Sequence, residues 1–312
     1  MPENTQPDYV AVDIAAERLD YCVNETTEAN CAHDTAGRAE LIAKLKHLPH
    51  PRVICEASGG YEKLVVAELL ASGMEVCVVQ PGRVRAFAYA EGLLAKTDRI
   101  DARLLRRYAQ KVQVRLALPV DAVLATLREL LEHRRALTTQ LSEVEGRLPL
   151  AGATLAKLLG RQRTFLKKQI EQVEKTLRQH IDNDPDLRSK SERLQQIKSV
   201  GPVLASTLLA YVPELGKIES SQLSALIGVA PHPRDSGKSH SPRHLRAGRA
   251  QVRHVLSMAA VCAARCNPIL AAFYQRLKAN GKPPKVCLVA VMRKLVCLMN
   301  RLILDPNFTL AH

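Results

Sequence analysis

Four carboxylates occupy positions from which they could act together. Asp13 ends a short β-prone run, Glu56 follows a later one, and Asp98 and Asp101 stand three residues apart near the start of a predicted helix. Residues three apart share one face of a helix, and strands lying side by side bring their ends to one sheet edge. Taken singly, each acid is better explained as a solvated or helix-capping residue than as a metal ligand. Gathered together they would repel one another without a cation, so the set predicts a site for one or two Mg²⁺ ions.

A strongly basic segment runs from Pro231 to Arg253 and contains one acid, Asp235. Its cations are Arg234, Lys238, Arg243, Arg246, Arg249 and Arg253. We expect a loop leading into a helix, with cations that contact a DNA backbone and binding that weakens as salt rises. A solvated basic face is the alternative.

Ser236 is the candidate nucleophile in this segment. The following Gly237 would let a substrate approach the backbone closely. On sequence alone Ser236 is an ordinary turn serine, and Ser239 and Ser241 compete with it. A serine needs activation and nearby positive charge to attack a phosphate. The histidines that could act as its general base are His232, His240 and His244, and the sequence does not choose among them.

Two further segments could contact nucleic acid. Ile197 to Ala205 resembles a helix-hairpin-helix, in which the turn at Gly201 would present backbone N–H groups to a phosphate. Ordinary packing of two helices explains this pattern equally well. Near the C-terminal end, the possible backbone contacts are Lys282, Lys285, Arg293 and Lys294, in a region that is otherwise structural in character.

The length and charge of the chain narrow the class of protein. A chain of 312 residues suggests about two domains, and a net charge of +14 points to a polyanionic partner. No apolar run reaches the roughly 18 residues of a spanning helix, and the polar start is not a signal peptide. We therefore expect a cytoplasmic, nucleoid-associated protein that binds nucleic acid and not a membrane. The eight cysteines form no metal-ligand pattern, and we expect them to be buried apolar residues.

The order of elements predicts an α/β domain followed by helices. The predicted strands are 9–14, 19–23, 52–55 and 75–79, and the predicted helices among them are 36–48, 61–72 and 97–111. From Asp121 to Asp182 the sequence pattern changes and predicts long helices rich in charged residues. Their apolar residues are spaced 4, 3, 4, as in the seam of a coiled coil: Leu137, Leu141, Val144 and Leu148, then Leu166, Ile170, Val173 and Leu177. The resulting hairpin could dimerise, bind RNA or pack on its own chain.

Several segments, in order, resemble the insertion-sequence-110 family of transposases. They are VAVDIAAERLDYCV, CEASGGYE, EGLLAKTDRIDARLL, SVGPVLASTLLAYV, PRDSGKS and RAGRAQVRHVLSMAA, and TDRIDAR and PRDSGKS are the most specific. The resemblance implies a RuvC-like, RNase H-like α/β domain at 1–118 and a mainly α C-terminal domain with the serine at 186–312. The long helical coiled-coil hairpin predicted above would then occupy 119–185.

The resemblance also implies a function. Asp13, Glu56, Asp98 and Asp101 match the four metal-binding acids of these DEDD transposases, and Ser236 matches the serine that forms a phosphoserine bond to DNA. The expected activity is Mg²⁺-dependent cleavage and rejoining of DNA strands by a transposase or site-specific recombinase. The expected partners are donor and target DNA, a structured non-coding bridge RNA, and further copies of the chain as a dimer or a tetramer built from dimers.

Other functions remain open at this point. A DNA invertase of the same family would use identical chemistry on a different DNA arrangement. A RuvC-like junction nuclease would keep the four acids without needing Ser236, and a non-catalytic DNA-binding protein would tolerate loss of any of the five. An actin-like sugar kinase or ATPase would need a Gly-rich phosphate turn after Asp13, and the sequence there has none.

Overall fold

The structure is a computed structural model that describes residues 8–24, 27–93, 98–119, 121–231, 235–236, 239–240, 245 and 248–310. Residues 98–101, 235–236 and 239–240 are described by their backbone only. The chain divides into two compact units, Met1–Val120 and Asp121–His312.

A five-stranded mixed sheet forms the centre of the first unit. Its strands are β1 (Asp8–Ile14), β2 (Arg18–Cys22), β3 (Glu28–Ala32), β4 (Pro51–Glu56) and β5 (Glu75–Val79). They lie in the order β3-β2-β1-β4-β5. The first three strands pair antiparallel as a meander, whereas β4 and β5 continue the sheet parallel to β1. The central position of β1 places the end of this strand between β2 and β4.

Within the described part of this unit, four helices flank the sheet. They are α1 (Thr35–Leu45), α2 (Glu62–Ala71), α3 (Pro81–Ala90) and α4 (Asp98–Lys111). Side chains alternate between the two faces of a strand, and each face has its own core. Val10 and Val12 pack in one core with Leu41 of α1, and Ala11 packs in the other with Tyr108 of α4. This architecture agrees with the α/β N-terminal fold predicted from the sequence.

Two elements of the first unit were not predicted. Strand β3 has the sequence EANCA, which has little of the apolar alternation that signals a strand, because it lies at the sheet edge with only Cys31 buried. Helix α3 begins at Pro81, and the sequence analysis predicted no helix after this proline. Proline is well suited to that first helical position because it lacks the N–H that would have no partner there.

A close backbone approach connects β3 to α1. Asp34 caps the helix by accepting a hydrogen bond from the Gly37 backbone N–H at 2.8 Å. A Cβ atom on Gly37 would lie 2.0 Å from the carbonyl oxygen of Ala32. Only glycine fits this position without moving the end of the edge strand.

The second unit is mainly helical. Its helices are α5 (Ala122–Arg147), α6 (Ala153–Asp182), α7 (Pro185–Gln195), α8 (Pro202–Tyr211), α9 (Ser220–Ile227), α10 (Ala250–Cys266), α11 (Pro268–Ala279) and α12 (Pro284–Leu304). A two-stranded ribbon, β6 (Asp235–Ser236) and β7 (Ser239–His240), lies between α9 and α10.

Helices α5 and α6 form an antiparallel hairpin. His180 Nε2 donates to the Val123 carbonyl at 2.8 Å near the base, and Lys167 pairs with Glu145 at 3.4 Å near the tip. The eight apolar residues of the predicted seam lie in the core of this unit or pack against it. The structure therefore has the predicted helical hairpin, whereas the coiled coil stays a prediction.

The hairpin and the later helices share one hydrophobic core. Leu127 and Leu177 belong to the same buried cluster as Leu208 and Leu256, and Arg128 Nε donates to the Ala210 carbonyl at 2.8 Å. This shared core is why the structure groups 121–312 as one unit, whereas the sequence analysis divided it at residue 185.

The cysteines do not all follow the burial expected from the sequence. Five are buried and Cys297 is half-buried, but Cys262 and Cys266 are exposed on α10. Among the described residues, no single helix is long and apolar enough to cross a membrane. Helices α10 and α11 meet that test only when taken together, and the chain bends by 93° between them.

Candidate functional site

Three carboxylates stand at neighbouring positions on the sheet, and we name them the acidic row: Asp13, Asp20 and Glu56. The antiparallel register places Asp13 opposite Asp20. On the other side of β1, the parallel register aligns Val12 with Cys55, so Asp13 and Glu56 follow at the next position of each strand. Asp13 and Glu56 are both half-buried. The strand ends thus bring together two of the predicted metal ligands.

Helix α4 packs across the face of the sheet that carries the acidic row. Tyr108 shares a buried cluster with Ala11 and Ile54, which precede Asp13 and Glu56 by two residues and therefore share their face. Arg106 Nε also donates to the carbonyl of the β1 residue Tyr9 at 2.9 Å. These contacts fix α4 over the central strands.

The first turn of α4 lies at the acidic-row end of the sheet. Ala102 lines a cavity of about 180 Å³ together with Asp20 and Asn30, and the helix begins at Asp98. Asp98 and Asp101 therefore have first-turn positions, three residues apart, on the helix that covers the row. Their side chains lie outside the described part of the structure.

The chemistry of the acidic row suits a hard cation. Asp20 accepts a hydrogen bond from Arg18 Nε at 2.7 Å, which offsets one of the three negative charges. Asp13 and Glu56 offer the carboxylate oxygens that Mg²⁺ prefers. Among the described side chains, no group of three or more acids, histidines or cysteines is close enough to hold a metal. Asp98 and Asp101 stay predicted ligands.

The loop after Glu56 is closed by a residue that the sequence analysis did not select. Glu62 Oε2 accepts hydrogen bonds from the Ser58 backbone N–H at 3.0 Å, the Ser58 hydroxyl at 3.1 Å and the Gly60 N–H at 2.8 Å. Burial disfavours the charged carboxylate, but the hydrogen bond from the backbone N–H of Glu62 itself, together with those from Gly60 and Ser58, outweighs burial and lowers the pKa of Glu62. Gly59 has a φ of +75° and Gly60 of +121°, which explains the pair of glycines. The sequence signal that could have identified Glu62 is a carboxylate two residues after a Gly-Gly turn.

Ser236 lies on a β-ribbon, where the sequence analysis expected a loop. Its backbone pairs with Ser239, and Asp235 pairs with His240. Residues 237 and 238, including Lys238, lie outside the described residues. So do Arg234, Arg243, Arg246, His232, His244 and the competing Ser241. The roles of Ser236 and its neighbours therefore stay predictions.

The end of the serine-bearing segment is fixed by an ion pair and a glycine contact. Arg249 donates from Nη1 and Nη2 to the two carboxylate oxygens of Glu214, each at 2.7 Å. The hydrogen bonds from Arg249 are the largest cause of the lowered pKa of Glu214. Gly248 has a φ of +84°, and a Cβ there would lie 2.5 Å from backbone atoms of Gly228. The backbone at Gly228, just before the serine segment, is therefore in contact with the backbone at Gly248, just before α10.

These contacts bear on two of the six predicted DNA-binding cations. Arg249 already has a carboxylate partner within the protein, so part of its charge is compensated. Arg253 Nη1 donates to the Ile227 carbonyl at 3.4 Å. Both residues hold the start of α10 in place through contacts within the protein. Contact of either residue with nucleic acid stays a prediction.

The predicted hairpin at Gly201 connects α7 to α8. Gly201 is exposed and caps α8, and its carbonyl accepts a hydrogen bond from the Ala205 N–H at 3.1 Å. Ser199 has a φ of +100°, unusual for a residue other than glycine. A Cβ on Gly201 would meet nothing within 4 Å, so packing within the chain does not require glycine here. Its contact with phosphate stays a prediction.

Two family models match successive parts of the chain. Residues 10–149 match the DEDD transposase model of IS110, described as a transposase, and residues 191–275 match the transposase IS116/IS110/IS902 family. Two similar proteins are the pilin gene-inverting proteins of Moraxella lacunata and Moraxella bovis. Each is 26% identical over 301 residues, which cover 93% of this chain and 94% of the relative.

The match and the geometry agree on the first unit. A DEDD transposase domain implies an RNase H-like α/β fold, and the mixed five-stranded sheet with helices on both faces has that character. The second family model spans the Gly201 hairpin, the serine segment and α10. The chain is therefore a transposase-type enzyme that acts on DNA, similar to the IS110 family over residues 10–149 and 191–275.

Proposed function

We propose that this transposase cuts and rejoins DNA strands through a covalent bond to Ser236. Asp13, Glu56, Asp98 and Asp101 would hold one or two Mg²⁺ ions. When bound, the metal would supply charge neutralisation at a phosphate and activation of an attacking oxygen.

The observation that carries this proposal is the placement of α4 over the acidic row. Asp13 and Glu56 stand at the next positions of adjacent strands, and α4 begins with Asp98 and Asp101 at the same end of the sheet. A solvated or capping role for each acid would not require this convergence. It is the arrangement expected of an oxygen-ligand metal site.

The proposed cleavage step balances as a phosphoryl transfer. The Ser236 oxygen forms a bond to the scissile phosphorus while the bond from phosphorus to the leaving strand oxygen breaks. The Ser236 hydroxyl proton passes to a base, and a proton passes to the leaving strand oxygen, which becomes a free hydroxyl. In rejoining, a strand hydroxyl attacks the phosphoserine and Ser236 regains its proton. The cations of the serine segment would stabilise the negative charge on the phosphate oxygens.

The test is a protein–DNA adduct that survives denaturation. The protein is incubated with Mg²⁺, DNA carrying the ends of its element and the corresponding RNA, and labelled DNA is followed on a denaturing gel. We expect Ser236→Ala to abolish the adduct and Asp13→Asn to abolish cleavage. Asp20→Asn is the matched control on the neighbouring strand, because Asp20 is paired with Arg18, and it should retain most of the activity.

Two results would contradict the proposal. An adduct that survives Ser236→Ala but disappears with Ser241→Ala would move the nucleophile to Ser241. Cleavage without any adduct would favour the metal-dependent nuclease, which keeps the acids and does not use the serine.

DNA inversion is a second candidate outcome of the same chemistry. It is favoured by the two relatives named pilin gene-inverting proteins. A plasmid carrying two recombination sites in opposite orientation distinguishes the alternatives. An invertase would flip the intervening segment without changing plasmid size, whereas a transposase would excise or insert its element.

We propose that a structured RNA selects the DNA sites, as in the family that the chain resembles. Support within this chain comes only from its net charge of +14, which suits more than one polyanion. RNA that copurifies with the protein would be sequenced, and recombination would be measured after ribonuclease treatment. Full activity after complete removal of RNA would exclude this role.

Self-association is proposed to use the tip of the α5–α6 hairpin. Leu155, Leu158 and Phe165 are exposed on α6 at spacings of three and seven, which places them along one side of the helix. Leu150 in the turn is 89% exposed. A second copy of the hairpin could cover this apolar stripe.

A further inference from the structure

A groove in the second unit is lined, among the described residues, by side chains from outside the serine segment. It has a volume of about 640 Å³ and lies between the turn after α7, the start of α11, the exposed side of α12 and the C-terminal segment. Its apolar wall consists of Ile197, Ile269, Leu270, Leu298, Phe308 and Leu310. Ile269 is 56% exposed, so apolar surface in the groove is open to water.

Hydrogen bonds hold two walls of this groove in place. Arg193 donates to the carbonyls of Leu302, Asp305 and Pro306 at 3.1, 3.0 and 2.9 Å, which fixes the segment that carries Phe308. The opposite wall is fixed by Asn267 Nδ2, which donates to the Lys198 carbonyl at 3.3 Å. The groove is therefore formed without a ligand, and a partner would not have to order it.

Cations line the groove together with the apolar residues. Lys198, Lys294 and Arg301 are all exposed. Lys294 Nζ lies 4.1 Å from the ring centre of Phe273, and Arg301 lies 4.4 Å from that of Phe308. No acid lines the groove in the described structure. Its occupant must therefore offer both apolar surface and negative charge.

The charge distribution of the chain favours a nucleic acid as this occupant. Residues 220–304 contain fourteen Lys and Arg residues and one acid, Asp235, so this stretch carries nearly all of the net charge. Two walls of the groove, the start of α11 and the exposed side of α12, belong to this stretch, and the C-terminal wall directly follows it. A duplex keeps the faces of its bases stacked and offers only base edges and backbone, whereas a single strand exposes base faces for apolar surfaces and phosphates for cations.

We propose that this groove binds single-stranded DNA, with a base against the apolar wall and neighbouring phosphates on Lys198, Lys294 and Arg301. This inference rests on the proposed function for the choice of DNA, because strand exchange exposes unpaired DNA strands. It adds a strand-binding subsite built from residues other than those of the proposed cleavage chemistry. The arginine and phenylalanine pair at the C-terminal wall suits base stacking, since bases stack on both aromatic rings and guanidinium planes.

A matched pair of neighbouring lysine and arginine residues tests the site. Lys294 lines the groove, whereas Arg293 is exposed on the same helix and does not line it. Binding of a fluorescein-labelled oligo-dT of about twelve nucleotides is measured by anisotropy in EDTA, so that cleavage plays no part. We expect Lys294→Gln to weaken binding by about threefold or more and to reduce the salt slope by about 0.7. Arg293→Gln should change both much less.

Cys297 provides a second, independent readout. It lines the groove and is half-buried, whereas Cys262 is exposed on α10 and does not line it. Alkylation of each thiol is followed by mass spectrometry with and without saturating oligo-dT. We expect bound DNA to slow alkylation of Cys297 and to leave Cys262 unchanged.

Several outcomes would overturn the proposal. Equal losses for Lys294→Gln and Arg293→Gln, with no protection of Cys297, would show only a diffuse basic surface. Stronger binding and protection by oligo-U than by oligo-dT would assign the groove to RNA. Protection that rises with protein concentration in the absence of DNA would make it an interface between copies. Because the assays need neither metal nor Ser236, failure of the proposed chemistry would not affect them.

Discussion

Arg249 forms a bidentate ion pair with Glu214 at the point where α10 begins. Both hydrogen bonds are 2.7 Å long, and about a third of each side chain is exposed. The pair joins the turn after α8 to the helix that follows the serine segment. It thus fixes the start of α10, whose N-cap Arg249 stands thirteen residues after Ser236.

Removing the charge of Glu214 should destabilise the protein. We expect Glu214→Gln to cost about 1–2 kcal/mol, a value typical of hydrogen bonds to charged groups at partly exposed positions. Urea unfolding of both single variants and of Glu214→Gln with Arg249→Gln would give the coupling energy. Asp186→Asn is the control, since its i,i+4 pair with Lys190 is more exposed and should matter little. Equal effects at both pairs would contradict this view.

The same pair predicts a pH dependence. The folded pKa of Glu214 is lowered from 4.5, so the folded state binds the proton less readily than the unfolded state. Its stabilisation is therefore full above about pH 4.5 and is lost as the pH falls through the folded pKa. The stability difference between the unmodified protein and Glu214→Gln should shrink over this range. A difference that stays constant from pH 7 to pH 3 would exclude the ion pair as its cause.

Gly37→Ala should be strongly destabilising. Its Cβ would lie 2.0 Å from the Ala32 carbonyl oxygen, so the turn from β3 to α1 would have to move, at a cost of about 2–4 kcal/mol. Gly160→Ala is the matched control, because a Cβ there meets nothing within 4 Å in the interior of α6. It should stabilise the protein by about 0.5–1 kcal/mol. Thermal unfolding of the two variants would show opposite shifts.

Glu62 is expected to act as a positioning residue for Glu56. Glu62→Ala leaves three donors of the intervening loop without their acceptor, and we expect DNA cleavage to fall by at least about tenfold, equivalent to about 1.4 kcal/mol. Ser58→Ala removes one donor of the three and should have a smaller effect. Glu62→Gln keeps an acceptor oxygen and should rescue part of the rate. Unchanged cleavage in Glu62→Ala at full DNA occupancy would refute this role.

The exposed stripe of the hairpin predicts self-association. Phe165→Glu places a charge in the stripe and should convert oligomers to monomers, measured by light scattering with and without nucleic acid. Thr164→Glu is the neighbouring control, because Thr164 is also exposed but lies beside the stripe. A monomer at all concentrations before any substitution would rule out the interface.

The positions of Asp13 and Glu56 near strand ends were predictable because the information is local, whereas their role as metal ligands stays a prediction. Asp13 and Glu56 each follow an apolar run, and the ends of adjacent parallel strands must meet at one edge. Asp98 and Asp101 were placed near a helix start by spacing alone, and α4 does begin at Asp98. The edge strand β3 escaped prediction because its exposed position lets it be polar.

Contacts between distant parts of the chain could not be predicted in this way. Arg249 stands in a run of cations, which suggests a DNA contact, but its partner Glu214 lies 35 residues earlier. Burial of cysteines is equally non-local, and Cys262 and Cys266 turned out to face solvent on α10. The role of Glu62 depends on a turn geometry set by two glycines with positive φ.

The contact between Gly228 and Gly248 makes the serine segment a closed loop whose ends stay together whatever its length. The entropy of closing such a loop grows only slowly with the number of residues in it. Insertions or exchanges between these glycines would therefore leave α9 and α10 in register. The segment could be exchanged between relatives while the helical scaffold is kept, and under the proposed function such an exchange would change the DNA preference.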